Sequence, residues 1–115
     1  VCPGRGTYTK ETLGYLKQYG GPIREQIKFM DEMRADIGEP TITELDSAEV
    51  FKANLHTKGE HASSLIYACS LADFHSISRD KYEICAVAGN SMGWYITLAV
   101  SGALGPEAAF NVVNT

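Results

Sequence analysis

Ser91 stands in the frame Gly89-Asn90-Ser91-Met92-Gly93, a G-x-S-x-G spacing that can present a serine hydroxyl as a nucleophile. The chemistry would be attack of that hydroxyl on an acyl carbonyl, with the acyl group then held as a seryl ester. A serine in such a turn takes up a strained backbone conformation, which sterics permit only if the residues two places to either side are very small. The turn would also lift the hydroxyl to the N-terminus of the next helix, where unpaired backbone N–H groups can stabilise an oxyanion. The same five residues equally suit a plain glycine-rich turn whose serine caps the helix.

A serine hydroxyl is a weak nucleophile until a base takes its proton, so Ser91 needs a partner within hydrogen-bond reach. His56, His61 and His75 all precede it, whereas in α/β-hydrolase order the histidine follows the serine. The base is therefore expected beyond Thr115, and Asp73 and Asp80 read as solvated helix-end charges. No metal site is expected, because His56 and His61 lack the four-residue spacing that puts two imidazoles on one helix face. Trp94 and Tyr95 follow the elbow directly and suit either the mouth of a pocket or plain packing.

These residues need elements to hold them. Tyr82 to Ala88 is short, mostly apolar and carries the β-branched Ile84 and Val87, which predicts a buried strand leading into the elbow. Trp94 to Val100 predicts the helix leading out. Small and apolar residues from His61 to Ile77, among them Ala62, Leu65, Ala68, Cys69 and Ala72, predict a central helix packed on a sheet. Ile27, Met30, Met33 and Ile37 follow Ile23 at three- or four-residue intervals and mark the clearest amphipathic helix. Leu13 and Leu16 give helical spacing to the later part of 7–19, which Gly20-Gly21-Pro22 stops. Thr41-Ile42-Thr43 reads as a short extended link, and Asp46 with Glu49 as a helix start. Pro106 opens a last helix running through 108–113.

A chain of 115 residues with 44% hydrophobic residues suits one small domain with a core of its own. Its net charge of -4, with no lysine or arginine cluster, excludes a nucleic-acid footprint. Cys2, Cys69 and Cys85 are odd in number and widely spaced, which fits reduced thiols in the cytoplasm. No apolar run is long enough to cross a membrane. The chain begins at Val1-Cys2-Pro3-Gly4 and closes on Val112-Val113-Asn114-Thr115, and reads as truncated at both ends.

Two motifs together carry a resemblance. Pro3-Gly4-Arg5-Gly6 resembles the P-G-Q-G opening loop of the malonyl-CoA:acyl carrier protein transacylase family, which includes the acyltransferase domains of fatty acid and polyketide synthesis. Gly89-Asn90-Ser91-Met92-Gly93-Trp94-Tyr95 resembles that family's G-H-S-x-G-E-Y elbow, and Ser101-Gly102-Ala103-Leu104 its continuation. The chain differs at three positions: Arg5 stands for glutamine, Asn90 for histidine and Trp94 for glutamate.

The resemblance implies that residues 1–115 are the N-terminal part of an α/β-hydrolase-like parallel-sheet domain, helix-rich and without the family's small ferredoxin-like subdomain. It implies ping-pong transfer from an acyl-CoA, malonyl-CoA above all, to the phosphopantetheine thiol of an acyl carrier protein. No bound cofactor is implied. Ser91 would be the nucleophile, the backbone N–H groups of Arg5 and Met92 the oxyanion hole, and Asn90 and Trp94 part of the pocket. Gly4, Gly6, Gly89 and Gly93 would shape the two loops. The positions of the family's base histidine and carboxylate-binding arginine fall beyond Thr115, so the chain alone is expected to be inactive. An esterase or thioesterase would use the same elbow, and a non-catalytic scaffold would keep it only as a turn.

Overall fold

An 18-residue helix, Gly59–Ser76, forms the axis of the molecule. In the computed structural model, which describes residues 1–114, six α-helices follow in chain order. They are α1 (Pro22–Asp36), α2 (Ile42–Asp46), α3 (Ala53–His56), α4 (Gly59–Ser76), α5 (Gly93–Val100) and α6 (Pro106–Val113). Every other α-helix packs on α4. Its residues from His61 to Cys69 are all buried, because its small side chains let neighbouring backbones approach from several directions. Leu65, Tyr67 and Leu71 are almost wholly withdrawn from water. Each such side chain contributes about 1.5–3 kcal/mol by burial.

The expected parallel-sheet, α/β-hydrolase-like architecture is not what the chain adopts. Among the described residues there is no strand, and β pairing is confined to one isolated parallel bridge between Cys2 and Gly89. The Cys2 N–H donates to the Ala88 carbonyl at 2.7 Å, and the Asn90 N–H donates to the Cys2 carbonyl at 3.0 Å. The pairing stops there because the chain turns away at Gly4 into a 3-10 turn, Arg5–Thr7. The segment 82–88 has no regular secondary structure and is largely exposed, and a cleft of about 280 Å³ separates Ile84, Ala86 and Val87 from Ser70, Asp73 and Phe74 of α4. A strand is stabilised by ladder partners on its edges, and the rest of the chain is committed to helices and turns.

Local expectations fail for identifiable reasons elsewhere. Thr41 is not part of an extended link but the N-cap of α2, its hydroxyl accepting from the Glu44 N–H while Glu44 reaches back to the Thr41 N–H. Asp46 begins no helix; it ends α2 and is buried, accepting from the Tyr8 hydroxyl at 2.7 Å and the Leu16 N–H at 3.0 Å. Tertiary hydrogen bonds therefore override the D-x-x-E pattern. Between residues 5 and 18 the chain makes three short 3-10 turns, with Gly14 at φ 85 interrupting any longer helix. Helices α1, α4, α5 and α6 lie where the sequence patterns put them, to within a few residues at each end.

Candidate active site

Ser91 has φ 53, the only positive value at a non-glycine position among the described residues. Two close approaches hold it there. A Cβ on Gly89 would stand 2.3 Å from the Trp94 backbone nitrogen, and one on Gly93 would stand 2.1 Å from the Cys2 carbonyl oxygen. Both positions require glycine on steric grounds, because the obstacle in each case is backbone. The frame that the sequence suggested is thus a real tight turn, entered through the Cys2 bridge and left through α5.

The turn consumes backbone donors in order. The N–H groups of Gly93, Trp94 and Tyr95 donate to the carbonyls of Asn90, Ser91 and Met92 at 2.9, 3.1 and 3.0 Å. The N-cap of α5 is Met92, and no side chain caps it. Ser91 is exposed, and its hydroxyl makes no hydrogen bond among the described residues, so the helix-capping role is not the one it performs. The Met92 N–H is likewise left without an acceptor among the described residues.

The opening loop packs on this turn. A Cβ at Gly4 would lie 3.7 Å from the Ser91 Cβ and 3.2 Å from the Asn90 carbonyl oxygen, so the first loop and the elbow touch at their backbones. Arg5 follows directly, its N–H also without an acceptor among the described residues. Gly6 is different: a Cβ there would meet nothing within 4 Å. Arg5 sends its side chain to the first residue of α4, where Nη1 lies 2.8 Å from a Cβ placed on Gly59. A cleft of about 390 Å³ opens between them, lined by Arg5, Gly59, Glu60, Ser63, Met92 and Tyr95 among others. Tyr95, 50% exposed, is part of its wall, whereas Trp94, 57% exposed, and Asn90 do not line it.

None of the histidines hydrogen-bonds to Ser91. His56 is fully buried, with Nδ1 accepting from the Lys52 N–H at 3.0 Å and Nε2 donating to the Leu45 carbonyl at 2.8 Å. Both nitrogens are used, and the ring lies between Tyr8 and Phe51 as a packing element. His61 is buried against Leu55 and Glu39. His75 is exposed at the end of α4, its ring edge-on to Phe74. Asp73, read from the sequence as solvated, accepts from the hydroxyls of both Tyr15 and Tyr19. The bond to Asp73, followed by the one from the Tyr19 hydroxyl, holds the Tyr15 phenol well above its ordinary pKa. Asp80 lies exposed beyond α4, as a solvated charge should.

Little in the residue pattern marks the cleft wall made by Gly59, Glu60 and Ser63, since K-G-E there reads only as a helix boundary. Comparison with protein-family models, with curated proteins and with solved structures finds no match to this chain. No helix among the described residues is long and apolar enough to cross a membrane.

Proposed function

We propose that the protein is an acyltransferase in which Ser91 takes the acyl group of an acyl-CoA and passes it to an acyl carrier protein. The observation that carries this reading is the positive φ of Ser91, pinned between two glycines that admit no Cβ. Strain of this kind, of order 1–3 kcal/mol, persists where the surroundings enforce it and clusters at reacting residues. In the first half-reaction the Ser91 oxygen attacks the thioester carbonyl carbon as a base takes its proton. The C–S bond then breaks, and the sulfur takes that proton from the base and leaves as the CoA thiol. In the second, the phosphopantetheine thiol attacks the seryl ester by the same steps in reverse order of partners, and Ser91 recovers its hydrogen.

The N–H groups of Arg5 and Met92 are the proposed oxyanion donors. They come from two distant segments brought together by the Gly4 contact, and neither has another acceptor among the described residues. Losing one such donor costs about 3–4 kcal/mol of transition-state stabilisation. The resemblance implies a histidine as the base, and none of His56, His61 and His75 is hydrogen-bonded to Ser91. The Arg5 guanidinium at the cleft suits an acyl group ending in carboxylate, malonyl first, or a CoA phosphate. Trp94 and Asn90 are the proposed pocket residues, and the compartment is the cytoplasm.

Full-length protein incubated with radiolabelled malonyl-CoA and quenched in acid should carry label on Ser91 that a carrier-protein thiol discharges. Rapid loss of label to water would make the protein a hydrolase instead, and absence of label would leave the elbow a structural turn. If Arg5→Gln left acyl-CoA preference and affinity unchanged, the role given to the guanidinium would fail.

A further inference from the structure

Where the link between α1 and α2 crosses the start of α4, three ligating side chains converge. One nitrogen of His61 and one carboxylate oxygen each of Glu39 and Glu60 all lie within 4.8 Å of one another. His61 is 3% exposed, so its orientation is fixed by packing. Its Nδ1 lies 2.9 Å from the Leu55 carbonyl oxygen and must donate to it, which leaves the lone pair of a neutral ring on Nε2. That lone pair faces Glu39 Oε2 at 3.1 Å, acceptor against acceptor. A proton between the two atoms, carried by the ring or by the carboxyl, or a cation in its place makes the contact attractive.

A ring nitrogen tied to a backbone carbonyl, with its opposite nitrogen turned to a carboxylate, is the arrangement that orients a metal-bound histidine. Tetrahedral ligands at zinc distances stand about 3.3 Å apart, close to the His61–Glu39 separation. Two cations act on the carboxylates without closing them off: Arg34, whose buried Nη2 has no hydrogen-bond partner among the described residues, attracts both Glu39 and Glu60, and Lys58 pairs with Glu60. Arg34 is buried at 1% exposure, but it donates to the carbonyls of Pro40 and Glu60, to Ser64 Oγ and to Asn114 Oδ1, none of them a carboxylate. Lys58 pairs with Glu60 at 2.7 Å, but both side chains are largely exposed, and such a pair contributes little.

We propose that Glu39, Glu60 and His61 form a binding site for a divalent cation of the zinc class, His61 through Nε2 and each glutamate through one oxygen. The remaining position opens to solvent on the side where Glu60 is exposed. One nitrogen and two carboxylate oxygens suit zinc and its transition-metal neighbours better than magnesium, which takes oxygen alone. The bound ion would clamp the α1–α2 link to α4. Glu60 also lines the cleft beside Arg5, but the cation site uses neither Ser91 nor the proposed oxyanion donors and does not rest on the acyl-transfer reading.

The test is titration of the full chain with Zn²⁺ at neutral pH, followed by calorimetry and by the imidazole nitrogen signals of all three histidines. One equivalent should bind, shifting His61 Nε2 and leaving His56 unmoved, and the thermal midpoint should rise with Zn²⁺ concentration. Glu39→Gln, at a partly exposed side chain, should fold normally and weaken Zn²⁺ binding about tenfold or more. Three results would overturn the site: no saturable binding, binding insensitive to both Glu39→Gln and Glu60→Gln, or a His61 ring protonated on both nitrogens under excess Zn²⁺.

Discussion

Gly93 lies so close to Cys2 that a β-carbon on it would stand 2.1 Å from the Cys2 carbonyl oxygen. The start of the chain and the elbow are therefore one backbone-to-backbone contact. That contact, with the Cys2–Gly89 bridge beside it, places Arg5 and Met92 near Ser91.

Gly93→Ala and Gly89→Ala should each destabilise the protein by about 2–4 kcal/mol, since backbone must move to admit the methyl group. Gly6→Ala, whose Cβ would meet open space, should change stability by less than about 1 kcal/mol. Urea unfolding of the three variants checks the contrast. Equal losses at Gly6 and Gly93 would contradict the geometry of the turn.

Ser91→Gly should be more stable than the parent by about 0.5–1 kcal/mol, as relief of the left-handed backbone outweighs the extra entropy glycine loses. Ser91→Ala keeps the β-carbon and should show no such gain. Both should lose acylation completely. A Ser91→Gly protein no more stable than Ser91→Ala would mean that the serine is unstrained.

Burial, followed by the hydrogen bond to Asp46, keeps the Tyr8 phenol protonated far above its ordinary range. Burial acts the same way on Tyr67. The folded chain thus retains protons that unfolded tyrosines release near pH 10. Stability from these groups is complete below that pH and is lost as the pH rises above it, toward the raised folded values. Denaturation between pH 8 and 11 should show this fall, with a shallower slope in Tyr8→Phe. At neutral pH the same variant should lose about 1–3 kcal/mol, because the Asp46 carboxylate loses a buried donor.

The elbow was legible because its signal is steric and local: two glycines around a serine, followed by an apolar helix. The helices α1, α4 and α6 were legible for a similar reason, their boundaries falling at Gly21, Gly38, Gly59 and Pro106. Segment 82–88 was not, since an apolar β-branched run specifies a strand only when a neighbouring edge pairs with it, and Cys2 supplies a single bridge. Asp46 misled for a related reason. Its partners, Tyr8 and Leu16, lie 38 and 30 positions away, beyond any capping pattern. The convergence of Glu39 on His61, 22 positions apart, likewise has no periodic signature.

The central claim is a covalent one, and peptide mass spectrometry tests it most directly. Full-length protein exposed to malonyl-CoA, quenched in acid and digested should carry a malonyl ester on the peptide containing Ser91. The ester should be absent from Ser91→Ala and discharged by a carrier-protein thiol. An unmodified Ser91 peptide under conditions where the protein turns over acyl-CoA, or an acyl group found on another residue, would contradict it.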